Sequence, residues 1–144
     1  MRTSAPGRAA IEQREGLKLH AYQDSSLARV WTIGYGHTSM AGAPHVFPGM
    51  VITQQTADET LSHDLNMWEA IVNRYIRRAA TQNQFDAMVS LCHNIGGGGF
   101  AGSSVVRQFN AGNVQAAADD FLMWEHPANL VGRRVSERKQ FLTP

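Results

Sequence analysis

The chain has 144 residues, 43% of them hydrophobic and 17% charged, with a formal net charge of +1. That length sustains one sizeable core, or two small lobes sharing a long helix, and so near-neutral a balance gives no reason to invoke a nucleic-acid partner. The single cysteine, Cys92, excludes an intrachain disulfide and sits in an apolar helical pattern that makes it a small core residue.

In chain order, Ser4 reads as an N-cap for a helix carrying Pro6, Ala9, Ala10, Ile11 and Arg14, which Gly16 ends. Glu15 thereby falls at a helix C-terminus. From Leu17 to Tyr22 the pattern alternates, and a second strand follows from about Val30 to Tyr35, so the two read as an antiparallel hairpin. Alternation places Thr32, Gly34 and Gly36 on one face of that second strand and Trp31, Ile33 and Tyr35 on the other. A Gly- and Pro-rich stretch then holds a short HVF, expected as a third strand before Pro48 and Gly49 turn the chain.

Thr53 is the expected cap of a long amphipathic helix whose stripe runs Ala57, Leu61, Leu65, Trp68, Ile71, Val72, Tyr75. Thr81 and Gln84 form a capping box opening a core helix with Phe85, Met88, Val89 and Cys92 on its apolar face. It ends at Asn94 and Ile95, where Gly96 to Gly99 allow a change of direction, and a short helix runs from about Ser104 to Asn110. Asn113 is the expected cap of a helix with Val114, Ala117, Ala118, Phe121 and Leu122 inside. After Pro127 a last helix carries Leu130, Val135 and Phe141, with Arg133, Arg134, Arg138 and Lys139 as a solvated basic face. Helix, hairpin lobe, linking helix and helical cluster together make an α+β fold. The expected organisation is one domain over residues 1–144: a small lobe over about 15–55, and a helical lobe over about 56–144 with the N-terminal helix. The natural binding place is a cleft between them.

The chemistry concentrates in EGLKLHAYQDSSLARVWTIGYGHT, residues 15–38, which sets Glu15 nine residues before Asp24. Glycoside hydrolysis needs a proton donor for the leaving oxygen and usually a second carboxylate to activate water or attack the sugar. The negative pole of its helix favours the protonated form of Glu15, whereas Asp24 at the mouth of a hairpin is the better solvated anion. The glycines beside Thr32 leave room for an approaching polymer. No metal-ligand spacing occurs among the histidines, and no cofactor is expected.

This stretch closely resembles the active-site segment of the phage-type lysozymes, the lambdoid endolysins and their T-even relative, whose motif runs EG, AYxD, TIGYGH. The likeness continues through PGMVIT, TQNQFDAMVSLCHNIGGGGF and GRRVSERKQFL, covering nearly the whole chain in the family's order. It implies a lysozyme-like fold and hydrolysis of the β-1,4 bond between N-acetylmuramic acid and N-acetylglucosamine, with inversion, to release phage progeny. By motif match Glu15 is the general acid, Asp24 positions and activates water, and Thr32 supports that water. Asp24 is favoured over Ser25 and Ser26 in the loop that follows. That loop departs from the family: Thr32 lies eight residues after Asp24, more than is usual there, with no glycine, and Arg29 becomes a candidate peptidoglycan contact.

The family's glycan-contacting positions fall at Thr38, His93, Ser104 and Asp120. The counterpart of His37 pairs with an acid on the long helix, which implies a structural ion pair of His37 with Asp64. The basic C-terminal face offers a second use, in which Arg133 or Arg134 approaches Glu15 and the others meet anionic envelope polymers. With no apolar run suited to a signal or anchor near its start, the chain is expected to be a monomer made in the host cytoplasm. It would act on periplasmic peptidoglycan after a holin-type partner opens the membrane. Two rivals remain: a lytic transglycosylase, using one acid and no water, and a non-catalytic peptidoglycan-binding protein.

Overall fold

The computed structural model describes residues 1–24 and 28–144, so Ser25, Ser26 and Leu27 lie outside the described residues. Its elements are α1 (Ala5–Glu15), β1 (Lys18–Gln23), β2 (Trp31–Gly34), β3 (His37–Thr38), α2 (Gln54–Tyr75), α3 (Gln82–Ile95), α4 (Gly97–Ala101), α5 (Ser104–Asn110), α6 (Val114–Asp120) and α7 (Val131–Leu142). The chain divides into two compact units, Ala9–Met67 and a helical unit made of Met1–Arg8 with Trp68–Pro144. It passes from one to the other inside α1 and inside α2.

The first unit is built on a three-stranded antiparallel sheet in the order β1-β2-β3. Gln23 pairs with Trp31, Tyr22 with Thr32 and Lys18 with Gly34, with a bulge between Lys18 and Tyr22. The third strand is not the HVF segment. It is His37–Thr38, which pairs with Ile33 and Thr32 after a tight turn at Tyr35 and Gly36. Gly34 and Gly36 take φ of 65° and 74°, a left-handed backbone that side chains oppose, so β2 stops at Gly34 and Gly36 serves the turn rather than the face of Thr32. Residues 45–47 are strapped instead to the turn before them, where the Val46 N–H donates to Ser39 Oγ at 2.8 Å. Ile11, Ile33, Val46, Ala57, Leu61 and Leu65 are buried in this unit.

In the helical unit α3 is buried on every side from Phe85 to His93. Its capping box forms on both arms, with the Thr81 hydroxyl accepting from the Gln84 N–H and the Gln84 side chain from the Thr81 N–H. The rings of Phe109 and Phe121 pack against Phe141 at 6.1 and 5.3 Å between centroids. Asp86, buried in the core, accepts from the backbone and hydroxyl of Ser4 and from Gln82, which anchors the start of α1. The glycine run does more than turn the chain, because Gly97–Ala101 is itself a helical turn. A methyl on Gly97 would fall on Ile71, and one on Gly99 would meet the Trp124 ring, so these glycines buy close packing against poor helix propensity. Asn113 stands at the N-cap of α6, but its side chain donates to Gln108 Oε1 rather than to the helix.

The basic face expected on α7 is corrected most. Arg134 is 0% exposed, Glu137 is 0% exposed and Val135 is 53% exposed, so the buried stripe is Arg134, Glu137 and Phe141. Glu137 accepts from Arg133 Nε at 2.9 Å, from Ser90 Oγ at 2.7 Å and from Arg134. Arg134 also donates to the Trp124 carbonyl and to Asn94. Two arginines of the supposed solvated face are thus held by one buried carboxylate, and Arg138 is drawn to Asp119 at 2.7 Å. Cys92 lies in the core, where burial pushes its thiol up to about 12.

Candidate active site

Glu15 is the last residue of α1, half-buried, and Gly16 with φ 69° turns the chain directly into β1. The strand then carries Tyr22, whose phenol is pushed above its usual range by burial, by the negative charge of Glu15 and by that of Asp24. One hydroxyl therefore lies in the field of both carboxylates. Sequence reasoning passed over Tyr22, although its place inside the AYxD motif was the available signal.

The backbone of Val30 organises the other side. Its N–H donates to Asp24 Oδ1 at 3.0 Å, and its carbonyl accepts from the Asp24 N–H and from Thr32 Oγ1, each at 3.0 Å. Asp24 and Thr32 are thereby aimed by a single backbone unit, a role no side-chain motif reveals. Thr32 is buried, and Thr38 pairs with it across the β2-β3 hairpin. Arg29, next in the loop, is exposed and holds φ 47°, a conformation that costs a residue with a Cβ about 1–2 kcal/mol.

His37 Nδ1 lies 2.7 Å from Asp64 Oδ2 and Nε2 lies 2.8 Å from the Pro44 carbonyl, with His37 and Asp64 each 1% exposed. Both ring nitrogens face acceptors, so the imidazolium satisfies both and the neutral ring only one. Burial opposes that charge, but the bond to Asp64, the Pro44 and Gly42 carbonyls and the charge of Asp64 outweigh it, raising the pKa above 6.5. A raised folded-state pKa means stability fully present below pH 6.5 and lost as pH rises through the folded value. Asp64→Asn should accordingly cost about 1.5–3 kcal/mol at acidic pH and progressively less at alkaline pH. NMR titration should find the His37 pKa lowered in the variant, and an unchanged titration would remove the pair.

The remaining sequence candidates lie in the helical unit. His93 is buried on α3 with its ring edge-on to Trp68 at 5.9 Å, Ser104 opens α5 with its hydroxyl 3.3 Å from Met123 Sδ, and half-buried Asp120 closes α6. Among the described residues no group of three or more His, Cys, Asp or Glu side chains could hold a metal ion.

The family model described as phage lysozyme matches residues 12–140, which takes in Glu15, Asp24, Thr32 and the helices after them. The chain belongs to the phage lysozyme family. It is a lysozyme-type hydrolase with the α+β fold of that family. An endolysin of Salmonella phage P22 is 42% identical to this phage lysozyme over 99% of both chains. The crystal structure of a P22 lysozyme mutant superposes with a TM-score of 0.80 at 43% identity, covering 99% of each chain. The muramidase domain of SpmX from Asticaccaulis excentricus gives a TM-score of 0.85 at 38% identity, again over 99% of each. No helix among the described residues is long and apolar enough to cross a membrane.

Proposed function

We propose that this phage lysozyme is an endolysin that hydrolyses the β-1,4 bond between N-acetylmuramic acid and N-acetylglucosamine in peptidoglycan, with inversion. The observation that carries the reading is the Val30 backbone, whose N–H and carbonyl fix Asp24 and Thr32 together while Tyr22 feels the charges of both Glu15 and Asp24. Glu15 gives its proton to the leaving glycosidic oxygen. Asp24, its carboxylate oriented by the Val30 N–H, takes a proton from a water that attacks the opposite face of the sugar, and Thr32 helps hold that water. Thr38, His93, Ser104 and Asp120 contact the glycan in this reading. The enzyme works as a monomer, is made in the host cytoplasm and reaches periplasmic peptidoglycan once a holin-type partner opens the membrane.

A water-using inverting enzyme leaves the new reducing end as a hydrated muramic acid, initially the α-anomer. Mass spectrometry of digested sacculi should show hydrated ends, and NMR of early time points the α-anomer. Anhydromuramyl ends would replace the hydrolase by a transglycosylase, and an initial β-anomer would replace inversion by retention.

A further inference from the structure

The two units carry opposite charge. Residues 9–67 hold three Arg and Lys against six Asp and Glu, a net of −3, and the helical unit holds ten against six, a net of +4. Most carboxylates of the helical unit are already engaged: Glu69 by Arg2, Asp86 by Ser4 and Gln82, Glu137 by Arg133 and Arg134, Asp119 by Arg138. The unneutralised excess therefore gathers elsewhere. Arg74, Arg77 and Arg78 stand at the end of α2 and in the connection after it, and Arg107 stands on α5. All four are exposed, and among the described residues none pairs with a carboxylate.

Arg74, Arg77 and Arg78 share one local frame. The Arg77 N–H donates to Asn110 Oδ1 at 2.7 Å, and Asn110 Nδ2 donates back to the Tyr75 carbonyl at 2.9 Å, which ties the connection to the end of α5. Arg78 lies 5.7 Å from the Phe109 ring centroid and Arg74 lies 5.6 Å from that of Tyr75. A Cβ on Gly112 would press on Arg78 Nη1, so this glycine leaves the guanidinium its place. Arg107, one helical turn before Asn110, is held instead to the other end of α5, where it donates to the Gly102 carbonyl at 2.7 Å. Half-buried Tyr75 and Ile76 sit within the arginine run.

We infer that this arginine surface docks the enzyme on an anionic phospholipid bilayer. The guanidinium fork matches phosphate oxygens two at a time and is more weakly hydrated than ammonium. Each cation near such a surface adds to binding, and a tyrosine and an isoleucine among the arginines suit the headgroup level. Docking of this kind lies on the surface and requires no spanning helix.

Flotation of the full chain with vesicles of phosphatidylglycerol and phosphatidylcholine tests the inference without reference to catalysis. The unaltered protein should bind these vesicles at low ionic strength, ignore pure phosphatidylcholine and be released at high salt. Arg74→Gln with Arg77→Gln should lower the affinity about 30-fold, whereas Lys18→Gln with Lys139→Gln removes the same charge elsewhere and should change it little. Circular dichroism and melting should show both doubles folded. Equal losses in the two doubles would mean diffuse attraction and overturn the proposal. Absence of vesicle binding would also overturn it, as would a loss by the arginine double on purified sacculi but not on vesicles.

Discussion

Glu15→Gln should lower kcat about a thousandfold and leave the fold as it is. The amide keeps the shape of the side chain but has no proton to deliver to a departing sugar oxygen, and positioned proton transfer contributes about 10²–10⁴-fold to such reactions. Glu15 is half-buried at the last position of α1, where Gly16 has already turned the backbone. Clearing of chloroform-treated Gram-negative cells measures the loss, and circular dichroism with thermal melting should show the variant folded. Equal clearing by the two proteins would take Glu15 out of the mechanism.

Glu137→Ala is expected to be the most destabilising single change in the helical unit. Its carboxylate serves Ser90, Arg133 and Arg134 at once, and Arg134 has no exposed surface through which water could replace it. Breaking a buried pair by removing one partner costs about 3–5 kcal/mol, because the other charge stays desolvated and unmatched. For a domain whose total stability is on the order of 5–15 kcal/mol that is a large share, and Tm should fall by roughly 10 °C or more. Urea unfolding measures it. Arg134→Met combined with Glu137→Met takes both charges out together and should recover part of the loss. If the single change costs less than about 1 kcal/mol, the network does not carry the load assigned to it.

What the sequence made legible follows from where local chemistry suffices. The capping box of Thr81 and Gln84, the Ser4 cap and the strand pair around Tyr22 and Thr32 are decided by neighbours a few residues away, and all are present. The HVF segment misled because its residues suit a strand, whereas flanking Pro44 and Pro48 and the Ser39 hydroxyl claim its backbone first. In α7 the helical period admits two phases, and charge was read as exposure. Arg134 and Glu137 at i and i+3, with Phe141 at i+7, mark the phase that is buried, and two opposite charges make that burial possible. Tyr22 and Val30 were missed for different reasons: the first acts through its electrostatic surroundings, the second through its backbone alone.

The ring of hydrogen bonds closed by Asp24 and Val30 has a consequence for how the site is aimed. Gln23 pairs with Trp31 directly beneath that ring, so the strand register below the loop is set without reference to what lies between Asp24 and Val30. The carboxylate and the threonine thus take their aim from Asp24 and Val30 themselves, on the two sides of the intervening segment.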